Sequence, residues 1–341
     1  MTLYRRPEAR HWRCEPAPEQ ASAFHRKLPG YAPTPLVDVP KLAVELGVGQ
    51  VLVKDESARL GLPAFKVLGA SWGIRQALTG FDPDGPDTLD GLRELVAGRG
   101  IRLVTATDGN HGRAVAHFGR LIGVSSTVFV PSAVGEVAVD AIRGEGAELV
   151  RVDGSYDDAC RAADAAGGIL LQDTAWDGYE RIPAAIVDGY STLFREITVP
   201  ASLVVVPMGV GSLAHAAVRH YRSTPGAVSL LGVEPLNAPC VLSSLDAGRV
   251  VSLETTDTVM TALNCGTPSS TALPALLAGL DSAVAVRDED TRQALQDLRD
   301  LGVNAGPAGA ATLAGVRAAR SELDLPPDGR IVLVSTEGRH S

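Results

Sequence analysis

The chain has 341 residues, which is enough for about two domains. Its 45% of hydrophobic and 21% of charged residues are typical of a globular protein and exclude an intrinsically disordered one. The net charge of −9 comes without any basic run, which argues against a nucleic-acid binder, and no apolar run reaches the roughly 18 residues of a membrane span.

The N-terminal segment and the cysteines predict a cytoplasmic protein. The first residues, MTLYRRPEARHWRCEPAPEQ, contain no apolar stretch of the kind that a signal peptide has. The four cysteines are scattered, show no CxxC spacing for a metal, and are too few for a disulfide framework. We therefore expect reduced thiols, no metal site and no membrane partner.

Short apolar runs alternate with helix-like stretches along the chain. Residues 1–35 show little periodicity and are expected to form an arm over the body. Nine later runs are predicted strands: 50–54, 102–107, 126–131, 148–152, 168–173, 202–207, 229–234, 282–286 and 330–335. Ala-rich helical patterns between many of them indicate βαβ units and an α/β fold with mostly parallel sheets covered on both faces. Ligands of such sheets bind beyond the carboxyl ends of the strands.

Lys66 is the first chemical candidate. It is the only charged residue in GLPAFKVLGASWGI, from Gly61 to Ile74. An apolar setting disfavours the ammonium and frees the amine to act as a nucleophile, as Schiff-base lysines require. The alternative is a lysine whose stem packs while its head reaches water.

Two acidic strand ends follow. The turn TDGNHG, residues 107–112, places Asp108 at the end of one strand, and Asp173 ends another in QDTAWD. The turn is expected to present N–H groups to a carboxylate, and a carboxylate beside an aromatic residue at this edge can act as a base. The alternatives are an ordinary Asx-turn and a helix-capping aspartate.

Two further strand ends are suited to holding a ligand. MGVGSL, residues 208–213, is a glycine-rich turn before a helix, where backbone N–H groups bind phosphate; the alternative is a plain tight turn. STEG, residues 335–338, places hydroxyl groups at the end of the last strand, where the alternative is a strand-to-loop transition. A reactive lysine, a phosphate cradle, an anion-binding turn and carboxylates together predict a pyridoxal-phosphate enzyme.

The sequence resembles the fold-type II pyridoxal-phosphate enzymes, and within them the diaminopropionate ammonia-lyases. The matching strings run from YAPTPL to STEG and include KDES, GLPAFKVLGASW, TATDGNHGRAVA, VDGSYDDA, LLQDTAWDGYERIP, PMGVGSL, GVEP and TALNCGTPS. The resemblance implies two three-layer α/β/α domains of the tryptophan synthase β type, with pyridoxal 5'-phosphate in the cleft between them. A large domain of 1–69 plus 189–341 would be discontinuous, and a small domain of 70–188 would carry TDGNHG.

The resemblance also assigns roles to residues. Lys66 would form the Schiff base with the cofactor, and either Ser335 or Thr336 would face the pyridine nitrogen. The other implied cofactor-binding residues are Phe65, Asn110, Gly209, Val210, Gly211, Ser212 and Leu213. The implied substrate-binding residues are Thr107, Asp108, Gly109 and His111.

The two aspartates distinguish the ammonia-lyases from the serine racemases and dehydratases, which carry serine where this chain has Asp108. The resemblance implies that Asp173, or Lys66, removes the α-proton of an L-substrate and that Asp108 does so for a D-substrate. It further implies a homodimer and a possible disulfide between Cys240 and Cys265.

The expected reaction is the elimination of ammonia from 2,3-diaminopropionate, with the L-isomer as substrate and the D-isomer as an open alternative, to give pyruvate. Three alternatives remain open at this point. The chain could be a β-replacement enzyme, a dehydratase of another β-substituted amino acid such as serine, or a silent ligand-binding protein on the same fold.

Overall fold

The computed structural model describes residues 3–224, 226 and 228–339. The strands are β1 Leu3–Arg5, β2 Leu36–Asp38, β3 Gln50–Asp55, β4 Arg102–Ala106, β5 Ser125–Pro131, β6 Glu148–Val152, β7 Ile169–Leu170, β8 Leu203–Pro207, β9 Ser229–Pro235, β10 Ser282–Val286 and β11 Arg330–Ser335. The helices are α1 Glu19–Arg26, α2 Pro40–Leu46, α3 Lys66–Leu78, α4 Leu89–Val96, α5 Asn110–Ile122, α6 Glu136–Gly144, α7 Tyr156–Ala165, α8 Arg181–Arg195, α9 Ser212–Arg222, α10 Cys240–Ala247, α11 Ala272–Gly279, α12 Asp288–Asp300 and α13 Pro307–Ala319. None of the helices in the described ranges has the length and apolar character needed to span a membrane.

The chain divides into two compact units. The first unit takes in the chain up to Ala17, Pro33–Ala58 and Leu193–Arg339, and the second takes in Pro18–Ala32 and Arg59–Thr192. The predicted boundary at 69/70 differs from this division. It would cut α3, a continuous hydrogen-bonded helix, so the first turn of α3 with Lys66 falls in the second unit.

The first unit is built on a seven-stranded sheet with the order β1-β10-β9-β8-β11-β3-β2. The inner strands are parallel, and the two outer strands β1 and β2 run antiparallel to their neighbours. Every residue of β8 is buried. Because alternate side chains of a strand point to opposite faces, both faces of the sheet are covered there.

The second unit is built on a four-stranded parallel sheet with the order β6-β5-β4-β7. Its main core joins α1, α3, α4 and α5, through residues such as Phe24, Ile74, Leu92 and Phe118, which are at most 1% exposed. The carboxyl ends of β4 and β7 lie side by side because these strands pair in parallel, Leu103 with Ile169 and Val104 with Leu170. The residues that follow them, Asp108 and Asp173, therefore share one edge of the sheet.

The nine predicted strands are all present, within two residues at each end except for the shorter β7. The N-terminal arm, in contrast, contains structure that the prediction lacked. Its described residues include β1, a 3₁₀ turn over Pro7–His11, and α1. Three-residue edge strands carry too little periodicity to be read from sequence, and their pairing depends on a sheet edge formed by distant residues.

Candidate active site

Lys66 is the first residue of α3 and forms a short ion pair in the second unit. Its Nζ donates to Oδ2 of Asp173 at 2.5 Å, across 107 positions of the chain. The two side chains are 21% and 6% exposed, so the pair is largely removed from water. A cation at a helix N-terminus is disfavoured by the helix dipole, and the carboxylate offsets this. The lysine in the apolar run is thus held as a charged group beside an acid.

Two aromatic rings lie beside the Lys66 ammonium. Its Nζ is 5.3 Å from the ring centroid of Phe65 and 5.8 Å from that of Tyr190, both within the range of a cation–π contact. Gly69 allows the second ring to approach, because a Cβ there would overlap Tyr190. The rings restrict the lysine head to the side that faces Asp173.

Asp108 and Asp173 have pKa values that are shifted in opposite directions. Burial and the charge of Asp173 raise the pKa of Asp108 to about 7, against the opposing effect of Lys66. For Asp173, burial favours the neutral acid, but the electrostatic interactions with His111 and with Lys66 outweigh it and hold the pKa well below its usual range. Two nearby carboxyl groups with separated pKa values are suited to act as an acid and a base.

The TDGNHG turn folds around one of its own side chains. Oγ1 of Thr107 accepts hydrogen bonds from the N–H groups of Gly109, at 2.9 Å, and Gly112, at 3.0 Å. Gly109 has a φ of 152°, which L side chains rarely adopt. These two N–H groups are therefore already bonded within the turn, and the binding of a substrate carboxylate by the other N–H groups of the turn stays a prediction. Asn110 is half-buried at the first position of α5.

His111 is buried and bonded to the backbone. Its Nε2 lies 2.6 Å from the carbonyl oxygen of Leu171, and its Nδ1 lies 3.7 Å from Oδ2 of Asp173. Because a carbonyl only accepts, Nε2 carries the hydrogen. Burial lowers the pKa of His111, against the opposing charge of Asp173. The ring supports the sheet edge beside Asp173, and at 4% exposure it presents little surface to a substrate.

In the first unit, the glycine-rich turn connects β8 to α9. Gly211 has a φ of 93°, and a Cβ on Gly209 would come within 3.1 Å of Sγ of Cys265 and 3.3 Å of the carbonyl oxygen of Ala262. The turn is therefore held close to its neighbours, and it leads directly into the N-terminus of α9. Val210, Ser212 and Leu213 are buried in the same turn. Backbone at a helix N-terminus, with Ser212 at its first position, is suited to bind a phosphate.

Ser335 ends β11, which lies next to β8 in the sheet. Its Oγ is buried and has no hydrogen-bond partner within the described residues. A Cβ on Gly309 would lie 2.5 Å from this oxygen, so the space beside it depends on glycine. A buried hydroxyl without a partner is costly unless a ligand bonds to it. A cofactor with a phosphate and a ring nitrogen fits a helix N-terminus and a serine hydroxyl at one sheet edge. Thr336 follows and is 5% exposed.

Cys240 and Cys265 are both buried and no disulfide joins them in the structure, in contrast to the pairing implied by the resemblance. Sγ of Cys240 instead donates to the carbonyl oxygen of Gly209 at 3.7 Å. Burial and the neighbouring charge of Glu234 raise the pKa of the Cys240 thiol. A protonated thiol directed at a carbonyl is a poor nucleophile for disulfide formation.

Three residues of this region were absent from the sequence predictions. Tyr190 touches Lys66 through its ring, Tyr156 contacts Asp173 at 3.4 Å, and Gln172 donates to Tyr156 at 2.5 Å. Tyr156 and Gln172 lie inside the strings VDGSYDDA and LLQDTAW that carry the resemblance, which was the available signal. Tyr190 comes from the middle of α8, where no local pattern distinguishes it from a core residue.

Comparison with known proteins places this geometry in a family. A model of pyridoxal-phosphate dependent enzymes matches residues 27–337. The chain is 33% identical to the diaminopropionate ammonia-lyase of Escherichia coli K12, over 93% of this chain and 87% of that protein. It is 36% identical to the enzyme of the same name from Salmonella typhimurium, over 74% of this chain and 68% of that protein.

Two solved structures of the E. coli enzyme show the same similarity. The E. coli diaminopropionate ammonia-lyase in complex with D-serine is similar with a TM-score of 0.89 at 30% identity, over 99% of this chain and 94% of that chain. The same E. coli enzyme in complex with an aminoacrylate-PLP azomethine reaction intermediate gives a TM-score of 0.87 at 29% identity, over 99% and 94% of the two chains. The predicted α/β fold with mostly parallel sheets and the predicted cofactor are confirmed, and the chain belongs to the family of pyridoxal-phosphate dependent enzymes.

Proposed function

We propose that the chain is an ammonia-lyase that converts 2,3-diaminopropionate to pyruvate and ammonia. The observation that carries this proposal is the pair of carboxyl groups around Lys66, one ionised and one with a pKa near neutrality. The names of the similar E. coli and Salmonella enzymes support the choice of substrate. A diamino acid brings a second ammonium, which the carboxylate of Asp173 attracts.

The cofactor supplies an electron sink that weakens the bonds at the substrate's α-carbon. We propose that Lys66 holds it covalently and that the turn of Gly209, Val210, Gly211, Ser212 and Leu213 binds its phosphate. Ser335 is favoured over Thr336 as the partner of the ring nitrogen, because its buried hydroxyl has no hydrogen-bond partner among the residues that the structure describes. Asn110 would contact the ring hydroxyl, and Phe65 would pack beside it.

Proton transfer belongs to the acidic groups of the second unit. Asp173 is ionised at neutral pH and is suited to remove the α-proton of an L-substrate, a step that Lys66 beside it can share. Asp108, with a pKa of about 7, holds its proton in part of the molecules and is suited to keep the β-nitrogen in its ammonium form, which departs as ammonia with the electrons of the C–N bond. In its ionised form it is suited to remove the α-proton of a D-substrate.

The test is a pyruvate and ammonia assay on purified, cofactor-loaded protein with L-2,3-diaminopropionate, D-2,3-diaminopropionate and L-serine in parallel. We expect turnover of the diamino acid well above that of serine. Faster turnover of serine would favour the dehydratase alternative. Release of neither product, together with new amino acids when thiols or amines are added, would favour β-replacement. Absence of cofactor binding would favour a silent binding protein.

A homodimer and a cytoplasmic location remain part of this proposal. None of the four cysteines takes part in a disulfide in the structure, which is the state that a reducing compartment maintains. Light scattering on the cofactor-loaded protein measures the oligomeric state directly, and a mass of one chain would contradict the dimer.

A further inference from the structure

The side-chain amide of Gln172 is held in one orientation by hydrogen bonds to the backbone of the neighbouring strand. Its Oε1 accepts from the N–H of Ala106 at 2.9 Å, and its Nε2 donates to the carbonyl oxygen of the same residue at 3.2 Å. An N–H donates and a carbonyl accepts, so the two ends of the amide cannot be exchanged. The position of the Nε2 hydrogens is therefore set by the sheet.

The orientation of the Gln172 amide fixes the direction of its hydrogen bond with Tyr156. Nε2 of Gln172 lies 2.5 Å from the hydroxyl of Tyr156 and donates to it. The hydroxyl oxygen is thus an acceptor toward Gln172, and its single hydrogen is left for another partner. Cys160 also lies beside this hydroxyl, but burial raises the pKa of its thiol, so it stays protonated and is a weak acceptor. Oδ1 of Asp173, 3.4 Å away, is the charged acceptor.

The two oxygens of Asp173 consequently have different neighbours. Oδ1 takes the phenol of Tyr156, and Oδ2 takes the ammonium of Lys66 and lies 3.7 Å from His111. The phenol contact is long for an O–H···O bond, as hydrogen bonds of catalytic groups often are before substrate binds. Tyr156 itself is held at the first turn of α7 by a capping box between Ser155 and Asp158.

We infer that Tyr156 is a positioning residue, which Gln172 orients so that its hydroxyl holds Oδ1 of Asp173 and leaves Oδ2 facing Lys66. The inference rests on the proposed function in taking Asp173 as a base. It extends the active site to a residue of α7, outside the turns at which the sequence analysis placed the chemistry. The titratable groups that face Asp173 are Lys66, Asp108, His111, Tyr156, Cys160, Tyr179 and Tyr190.

The test compares Tyr156→Phe with Tyr179→Phe in the cofactor-loaded protein. Both changes remove one hydroxyl next to the same strand. The Tyr179 hydroxyl, however, bonds only to backbone in its described contacts, donating to the carbonyl of Leu170 and accepting from the N–H of Gln172. Two quantities are measured: the pH titration of the cofactor's visible absorption without substrate, and the pH profile of kcat/KM with L-2,3-diaminopropionate.

Removing a donor from a carboxylate destabilises its ionised form, so its pKa rises. For Tyr156→Phe we expect the absorption titration to move to higher pH by about one unit and the whole kcat/KM profile to fall about tenfold, through kcat more than through KM, the size of one weak bond to a charged group. Tyr179→Phe should leave both curves in place. Unmoved curves in Tyr156→Phe, or equal shifts in both variants, would overturn the inference.

Gln172→Leu provides a second arm. If Gln172 acts through Tyr156, the double variant loses no more than the worse of the two single variants, whereas independent effects add. Additive losses would contradict the orienting role of Gln172. The absorption titration needs no turnover, so a wild type that fails to release pyruvate, but whose titration still shifts in Tyr156→Phe, would refute the proposed function and leave the positioning role standing.

Discussion

The two units carry opposite kinds of chemistry at their sheet edges. In the second unit the important groups are charged, and Lys66 and Asp173 meet at 2.5 Å. In the first unit they are neutral: a glycine-rich turn at a helix N-terminus and the buried hydroxyl of Ser335. Charged groups with shifted pKa values are suited to move protons, and fixed neutral donors are suited to hold a ligand in one orientation. Under the proposed function, the second unit transfers protons and holds the cofactor through Lys66, and the first unit holds the phosphate and the ring nitrogen.

Lys66→Ala is expected to abolish the function of the charged groups of the second unit. Loss of the amine should remove the protein-linked absorption of the cofactor and lower kcat by at least about a thousandfold, as for other groups that act covalently. Spectra and pyruvate assays measure the two effects. Lys41→Ala is the matched control, because Lys41 is exposed. A Lys66→Ala protein that keeps the absorption band and full turnover would contradict the assignment.

The pH dependence of kcat/KM for the two stereoisomers tests the separate roles proposed for the two aspartates. Under the proposed function Asp108, with a pKa of about 7, would serve the L-substrate as an acid in its protonated form and the D-substrate as a base in its ionised form. Between pH 6 and 8, kcat/KM should therefore fall about tenfold for the L-isomer and rise about tenfold for the D-isomer.

Asp108→Asn gives the control for these profiles. It should reduce turnover of the D-isomer by about a hundredfold or more, the usual size of a lost general base, and reduce turnover of the L-isomer less. It should also flatten the L-isomer profile near pH 7. Parallel profiles in the wild type, or equal losses for both isomers, would refute the assignment of the two carboxyl groups to opposite faces.

Gly211→Ala tests the role of the neutral groups of the first unit in holding the cofactor. A side chain at a φ of 93° strains the turn by about 1–3 kcal/mol, which we expect to weaken cofactor binding by about tenfold while kcat of the saturated enzyme changes little. Titration of the apoprotein with cofactor measures the affinity. Gly98→Ala is the control, because Gly98 has a φ of 70° with open space around it in the second unit. Equal affinity losses in the two variants would mean that the turn has no special role.

Ser335→Ala should give the smallest effect. One neutral hydrogen bond contributes about 1 kcal/mol, so cofactor affinity should fall about fivefold. Thr336→Val, the neighbouring hydroxyl, should leave the affinity within error. The reverse ranking would transfer the contact with the ring nitrogen to Thr336 and settle the alternative that the sequence left open.

Local features of the chain were predictable because neighbouring residues record them. The nine strands follow from uninterrupted apolar runs, and Lys66, Asp108 and Asp173 are recognisable from what surrounds them in the chain. The resemblance added the cofactor, because the turn that would bind its phosphate and the lysine that would hold it lie in short contiguous motifs. The antiparallel strands β1 and β2 were missed because three residues show no periodicity.

Contacts between distant positions required the tertiary structure. Three such contacts depend on which strands become neighbours and on which rotamers pack. They are the ion pair of Lys66 with Asp173, the hydrogen bonds between Gln172 and Ala106, and the bonds from two N–H groups of the turn to Thr107. The same holds for Cys240, whose thiol is directed at a backbone carbonyl. The sequence by itself determined the fold class, the cofactor and the acidic and basic residues, because runs and motifs encode them. The tertiary structure decided which of these groups meet and which donate or accept, because hydrogen bonding depends on direction and distance.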